Sequence, residues 1–160
     1  MKDLLGILFI LLLGVLCFQD FKERKVTLIL LVLAILLGGV IHVQQQDIEV
    51  FLAVIFFNLL IVFTLFLIIS MYAKIKMKQP IFNVFGLGDL LFFMALAVSF
   101  PTLSFLVIFV FSLIFSWSIF MLIKQHLKEK TVPLAGLQSL FLLLVLIINM
   151  VTNRFDLFAI

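Results

Sequence analysis

The chain is poor in the residues that mark several common classes of protein. Its 160 residues include a single cysteine, Cys17, which excludes an intramolecular disulfide and a zinc site built on cysteines. Three prolines and seven glycines are too few for a collagen-like or linker-rich chain. Only 12% of the residues are charged, whereas intrinsically disordered chains combine high charge with low hydrophobicity. Apolar residues therefore dominate the sequence.

The apolar content is too high for a small soluble domain. Hydrophobic residues make up 66% of the chain, 21 of them phenylalanine, and the mean hydropathy is +1.44. A soluble domain of this size has too little interior to bury so much apolar surface. The net charge of +3 does not indicate nucleic-acid binding, because the basic residues lie between apolar runs and not on one face of a soluble module. We expect an integral membrane protein.

Charged residues divide the chain into six apolar runs. A helix needs roughly 20 apolar residues to cross a bilayer, and about 17 to 25 are tolerated. The pattern predicts an all-α membrane protein, with residues 1–160 forming one bundle of six transmembrane helices and with a helix break before the fourth span. The predicted spans are 4–18, 26–43, 50–72, 86–100, 103–123 and 134–151.

The basic residues indicate how the spans are oriented. With six spans, nine of the eleven basic residues fall on one face. They are Lys22, Arg24, Lys25, Lys74, Lys76, Lys78, Lys124, Lys128 and Lys130, which leaves Lys2 and Arg154 for the other face. Cytoplasmic loops carry the excess of lysine and arginine. We therefore expect a multi-pass protein of the inner (plasma) membrane with both termini outside.

Asp89 is the acidic residue whose sequence surroundings are least typical of a solvent-exposed loop. It lies among apolar, small or amide residues, and no basic residue nearby in the sequence neutralises it. Gly86 and Gly88 permit backbone angles that a helix does not use, and aspartate is favoured at helix starts. We expect 81–88 to be a broken, partly embedded segment, Asp89 to begin the fourth helix, and a hydrated cavity to open to the cytoplasm. The alternative is that Asp89 only caps a helix at the membrane surface.

Asp20 ends the first run on the same predicted face. Two neighbouring carboxylates share one proton, and the ionised one can activate a water to attack a peptide carbonyl. This chemistry needs no metal ion and no cofactor, and we expect neither. Taken alone, Asp20 is also compatible with a solvated loop acid beside Lys22 and Arg24.

Other polar residues within or beside the runs have simpler interpretations. His42 and His126 fall on opposite faces and are expected at the membrane interface. Asn58 and Asn149 are expected to form hydrogen bonds between helices.

Here the residues resemble a known family. Gly86-Leu87-Gly88-Asp89 matches the G-x-G-D motif of intramembrane aspartic proteases, and Asp20 matches the partner aspartate of prepilin peptidases (type IV leader peptidases) and preflagellin peptidases. The resemblance implies that Asp20 and Asp89 are catalytic and that Gly86 and Gly88 shape the loop. It also implies that the protein cleaves a single-span pilin-like or pseudopilin-like precursor with a basic leader on the cytoplasmic side. We expect membrane lipids as its surroundings and no nucleic acid as a partner.

The chain resembles the minimal members of that family. Only seven residues follow Phe18 before the second run, where larger members carry a cytoplasmic methyltransferase insertion, so we expect cleavage without methylation. Many prepilin peptidases have Ile-Pro where this chain has Val26-Thr27, and lysine where it has Leu91.

Some alternatives remain open from the sequence. Glu23 and Glu129 are candidate contacts for a basic leader, although ordinary charge balance with neighbouring lysines also explains them. Asp89 could instead serve a small transporter or a proton or cation pathway, because such pathways also use intramembrane acids. A non-catalytic membrane scaffold of the same fold would require neither aspartate.

Overall fold

Six α-helices account for most of the residues that the structure, a computed structural model, describes. The described residues are 2–24, 26–78, 85–124, 132–152 and 157–158, with 2 and 3 described through their backbone only. Within these ranges there is no β-strand, so the predicted all-helical fold class is confirmed. The helices are α1 (Lys2–Glu23), α2 (Leu28–Val43), α3 (Ile48–Tyr72), α4 (Leu87–Ser99), α5 (Thr102–Ile123) and α6 (Leu134–Thr152).

Four of these helices are long and apolar enough to cross a bilayer. They are α1, α3, α5 and α6, and a π-helical segment, Ala73–Met77, extends α3. By the length and composition of these helices the chain is a membrane protein.

The other two helices, α2 and α4, are shorter and have 16 and 13 residues. At about 1.5 Å per residue they measure roughly 24 and 20 Å, less than the hydrocarbon core of about 30 Å. The prediction of six spans is therefore supported for four helices.

Helix α4 lies at the centre of the packing. It packs chiefly against α2 and α3, while α1 packs against α6. Phe92, Leu96 and Phe100, on α4 and at its end, are each 1% exposed. The outward faces of the other helices remain apolar, as at Phe56 and Phe63 of α3, which suits contact with lipid. The shortest helix is thus enclosed by the longer ones.

Side chains from two neighbouring helices form hydrogen bonds with the backbone carbonyl groups at the buried carboxyl end of α4. The Asn58 Nδ2 group donates to the carbonyl oxygens of Ala97 and Phe100, both at 2.9 Å. The His42 ring, through Nδ1, bonds to the Val98 carbonyl oxygen at 2.8 Å. The last carbonyl groups of a helix lack partners within the helix, so such bonds are needed where water is excluded.

These hydrogen bonds bear on the positions expected from the sequence for Asn58 and His42. The expected interhelical bonding of Asn58 is confirmed. His42 lies in the last turn of α2, where its ring is fully buried against the end of α4 and packs edge-on against Phe51. Its expected position at the membrane interface stays a prediction. His126 lies outside the described residues.

The turn between α1 and α2 is held by a pair of side-chain bonds. Gln19 Nε2 donates to Thr27 Oγ1 at 2.6 Å, and the Thr27 backbone N–H donates to Gln19 Oε1 at 3.0 Å. Arg24 reverses the chain with a left-handed backbone, φ 55°. The carboxyl end of α1, which carries Asp20, is therefore tied to the start of α2.

The described basic residues gather at one end of the bundle. They are Lys22, Arg24, Lys74, Lys76, Lys78 and Lys124, at or just beyond the carboxyl ends of α1, α3 and α5. Lys2 begins α1 at the opposite end. Lys25, Lys128, Lys130 and Arg154 lie outside the described residues. The two ends therefore differ strongly in described positive charge.

Candidate functional site

The site is built at the amino end of the last helix, α6. The first turn of any α-helix has backbone N–H groups without a partner inside the helix. In α6 the backbone bonds begin with the Leu137 N–H donating to the Pro133 carbonyl oxygen at 3.0 Å, so the Ala135 and Gly136 N–H groups precede them. The helix dipole adds partial positive charge at this end. These two adjacent donors favour an anion.

Two carboxylates from different helices occupy these donors. Asp20 Oδ2, from α1, accepts a bond from the Gly136 N–H at 2.6 Å. Asp89 Oδ1, from α4, accepts a bond from the Ala135 N–H at 3.0 Å. Consecutive backbone nitrogens are at most about 4 Å apart, so the two accepting oxygens lie within roughly 10 Å of each other. The structure thus brings together the two aspartates singled out from the sequence.

The pair is withdrawn from solvent to different degrees. Asp20 is 6% exposed, whereas Asp89 is half-buried. Each carboxylate has a second oxygen that the bonds to α6 do not use. Charge on Arg24 lies close enough to interact with Asp20, and charge on Asp20 interacts with Asp89. The arrangement therefore places two carboxyl groups beside a pair of fixed N–H donors.

Gly136 is required at its position by the closeness of Asp20. A Cβ built on Gly136 would lie 2.8 Å from both Cβ and Oδ2 of Asp20, closer than side chains approach in proteins. The sequence predicts neither Gly136 nor Ala135 as a site residue, because their contribution is a backbone N–H group. The signal in the sequence is Pro133-Leu134-Ala135-Gly136, a proline and two small residues around a leucine at the start of an apolar run, which is typical of a helix start with close neighbours.

The start of α4 differs from the expectation in two respects. Helix α4 begins at Leu87 with Gly86 as its N-cap, so the prediction that Asp89 begins the helix is wrong and Asp89 is its third residue. No glycine among the described residues has positive φ, and Gly86 has φ −70° and ψ 141°, which any residue can adopt. Residues 81–84 of the expected broken segment lie outside the described residues.

The presence of glycine at position 86 is explained by the lack of room for a side chain, and not by a backbone conformation that only glycine adopts. A Cβ on Gly86 would lie 3.0 Å from Asp89 Oδ2, so the missing side chain leaves room for the carboxylate to fold back toward the N-cap. A Cβ on Gly88 would meet Val26 and Leu31 at ordinary distances of 3.9 and 4.0 Å. Of the two motif glycines, only Gly86 is in tight contact with the carboxylate.

The candidate leader contacts are not part of this pair. Glu23 is exposed at the end of α1, and Glu129 lies outside the described residues. A leader-binding role for either glutamate stays a prediction.

An apolar cavity lies at the opposite end of the bundle. Its volume is about 340 Å³, and its lining includes Phe9, Ile41, Phe100 and Leu146 together with Asn149. It is formed by the amino half of α1 and the carboxyl ends of α2, α4 and α6, the far ends from the aspartate pair. The hydrated cavity expected beside Asp89 is a different feature and stays a prediction.

Comparisons of the chain with protein-family models, curated proteins and solved structures find no match. The fold and the site define a helical membrane protein whose last helix holds a carboxylate pair at its amino end.

Proposed function

We propose that the chain is a membrane-embedded aspartic endopeptidase similar to the minimal prepilin and preflagellin peptidases. The observation that carries the proposal is the meeting of Asp20 and Asp89 at consecutive N–H groups of α6. Water activation by an acid pair requires two carboxylates from separate parts of a chain at one place. The G-x-G-D motif and the position of Asp20 at the end of the first helix add support.

The chemistry follows from a single proton held between the two acids. The ionised carboxylate takes a proton from a water, whose oxygen adds to the peptide carbonyl carbon, while the other carboxyl gives its proton to the carbonyl oxygen. In the collapse that follows, the C–N bond breaks, the departing nitrogen receives a proton from one acid, and a hydroxyl of the intermediate returns a proton to the other. The pair ends as it began, and no metal ion or cofactor enters the cycle.

Removing the acidity of each aspartate while keeping its capping bond tests this proposal. Asparagine accepts hydrogen bonds at helix starts about as well as aspartate, so Asp20→Asn and Asp89→Asn should retain the contacts with α6. We expect the purified wild-type protein to cleave members of a panel of pilin-like precursors. Each variant should lose at least about 100-fold in rate, the lower range for general acid–base catalysis.

The matched control is Asp47→Asn. Asp47 is exposed and is the N-cap of α3, at the end of the bundle opposite the pair. This variant should cleave at the wild-type rate. Cleavage that survives Asp20→Asn would exclude a shared-proton mechanism. If no precursor is cleaved and only Asp89→Asn alters ion or proton flux in vesicles, the pathway function takes the place of the protease.

The proposal includes a membrane arrangement. We infer that all six helices span, with α2 and α4 compensating for their length by enclosure in the bundle, and that the basic end faces the cytoplasm of an inner (plasma) membrane. Both termini are then outside. The described lysines and Arg24, at the end that holds the aspartates, support this orientation.

The substrate class follows from the resemblance and from the location of the pair. A precursor with one apolar helix behind a basic leader would lie in the lipid beside the bundle and present the junction between them near the cytoplasmic surface. Asp20 and Asp89 are at the bundle end that this orientation places there. Pilus assembly or secretion by a pseudopilus are the processes that consume such cleaved products.

A further inference from the structure

Four polar side chains of α5 and α6 are completely buried. They are Ser112, Ser116, Gln138 and Ser139, each 0% exposed, and we refer to them as the inner polar cluster. Polar groups inside a membrane protein either bind neighbouring helices together or serve function, because burial without partners is unfavourable. The capping and pairing of the aspartates do not involve Ser112, Ser116 or Gln138.

The cluster continues the face of α6 that meets the aspartates. Gln138 is three residues after Ala135, and Ser139 is three residues after Gly136, so each lies on the same side of the helix one turn further into the bundle. Ser139 Oγ donates to the Gly136 carbonyl oxygen at 2.8 Å. Cys17, one turn before Asp20 on α1, also lies beside Ser139. A polar strip thus runs inward from the carboxylate pair.

Two polar atoms of the cluster lack a partner among the described residues. Gln138 Nε2 donates to Ser112 Oγ at 3.2 Å, and Ser112 Oγ donates to the Phe109 carbonyl oxygen at 2.8 Å. Gln138 Oε1 and Ser116 Oγ remain unpaired within that part of the chain. Ser112 and Ser116 are four residues apart on α5 and therefore share a face, so Ser116 lies one helical turn, about 5–6 Å, from the serine that binds the Gln138 amide. Together the two atoms offer an acceptor and a hydroxyl that can donate.

We propose that Gln138 and Ser116 bind a water molecule that replenishes the water activated by Asp20 and Asp89. Buried polar atoms without protein partners are commonly satisfied by such waters, which need two or more polar neighbours. Peptide hydrolysis consumes one water in each turnover, and Asp20 is almost fully withdrawn from solvent. The polar strip reaches the pair from the interior of the bundle. It therefore holds water in a region from which the surrounding lipid-facing helices exclude bulk water. This inference rests on the proposed peptidase function.

A purely structural role of the inner polar cluster, in helix packing alone, predicts a different result. If the Gln138–Ser112 bond only held α5 to α6, loss of the cluster would lower stability without a specific change in turnover. A separation of kcat from KM, together with direct observation of the water, distinguishes the two roles. Gln138 and Ser116 are positioning residues in the proposal, since neither touches the substrate.

The kinetic test uses two substitutions and a matched control. Gln138→Leu removes both polar atoms with little change in size, and Ser116→Ala removes one hydroxyl. We expect kcat for precursor cleavage to fall at least about tenfold in each, the effect of one lost hydrogen bond, with KM unchanged. Ser118→Ala is the control, because Ser118 is on the same helix but exposed, and its hydroxyl donates only within α5 to the Ile114 carbonyl oxygen. It should retain the wild-type kcat.

The spectroscopic test does not depend on activity. In lipid-reconstituted, isotope-labelled protein, solid-state NMR transfer of polarisation from water should reach the Gln138 side-chain amide, and Ser116→Ala should weaken the transfer. Asp20→Asn should abolish cleavage and leave the transfer intact. Absence of transfer in the wild-type protein overturns the water site while the proposed peptidase stands.

The remaining outcomes are also decisive. Transfer with an unchanged kcat in Ser116→Ala overturns the supply role. If Gln138→Leu fails to fold, Ser116→Ala still decides both measurements. A wild-type protein that cleaves no precursor overturns the peptidase and the supply role together, while the NMR transfer separately decides whether the cluster binds water.

Discussion

Gly136 sets how closely the last helix approaches the aspartate pair. Its N–H group donates to Asp20 over 2.6 Å, and the Asp20 side chain occupies the space that a Cβ would need. The neighbouring Ala135 carries a methyl group and still donates to Asp89. One glycine therefore supplies both a donor and the space for its acceptor.

We expect Gly136→Ala to displace Asp20 and to impair cleavage. Forcing a methyl group into a packed site costs about 1–3 kcal/mol, and here the group that must move is a catalytic candidate. The control is Gly6→Ala on α1, where a Cβ finds no atom of the described residues within 4 Å. That control should be neutral or stabilising by up to about 1 kcal/mol, since alanine favours helix. Cleavage rate and thermal unfolding in detergent provide the measurements, and wild-type behaviour of Gly136→Ala would contradict the packing argument.

The residues predictable from the sequence are those whose charge conflicts with their surroundings. Asp89 and Asp20 were identifiable because a carboxylate among or beside apolar runs requires an explanation. Gly136 and Gln138 give no such signal. A backbone N–H group exists at every residue except proline, and an amide in an apolar run carries no charge, so their importance depends on which helix lies opposite.

Helix α4 depends on its neighbours at both ends. At its amino end Asp89 binds the first turn of α6, and at its carboxyl end Asn58 and His42 bind the last carbonyl groups. With 13 residues it is too short to bridge the hydrocarbon core by itself. Side chains of α2 and α3 and a backbone N–H group of α6 therefore hold it in place.

Asn58→Leu should destabilise the bundle by leaving the Ala97 and Phe100 carbonyl oxygens without their described donor. We expect a loss of about 1–3 kcal/mol, the range for a buried polar group left unpaired. Thr64→Val, on the exposed face of the same helix, should have little effect, because the Thr64 hydroxyl bonds only to the Leu60 carbonyl oxygen one turn away. Thermal unfolding of both variants in one detergent makes the comparison, and an unchanged Asn58→Leu midpoint would refute the capping role.

Helix boundaries were less predictable than helix existence. The predicted run 26–43 corresponds closely to α2, Leu28–Val43. The predicted run 4–18 is shorter than α1, which continues to Glu23. The difference arises because charged residues end an apolar run but do not end a helix. Helix α1 continues into the interface with Lys22 in its last turn, where cations interact favourably with the helix dipole. Hydrophobicity locates the embedded part of a helix and not its end.

The distribution of charge over the bundle makes the orientation testable. In a Cys17→Ala background, single cysteines at Asp47 and at Lys76 would mark opposite ends, and both positions are exposed. A membrane-impermeant maleimide added to intact cells should label Asp47→Cys and not Lys76→Cys, because the basic end is proposed to be cytoplasmic. Both should react after permeabilisation. Labelling of Lys76→Cys alone in intact cells would reverse the proposed topology.

The placement of the donors on α6 also bears on synthesis of the protein. A ribosome makes α1 and α4 before α6, so a nascent chain carries both aspartates before the N–H groups of Ala135 and Gly136 exist. Until the final helix enters the membrane, the two acids have no common anchor. A chain interrupted before α6 therefore cannot assemble the pair, and the order of translation delays the proposed activity until the whole bundle has been made.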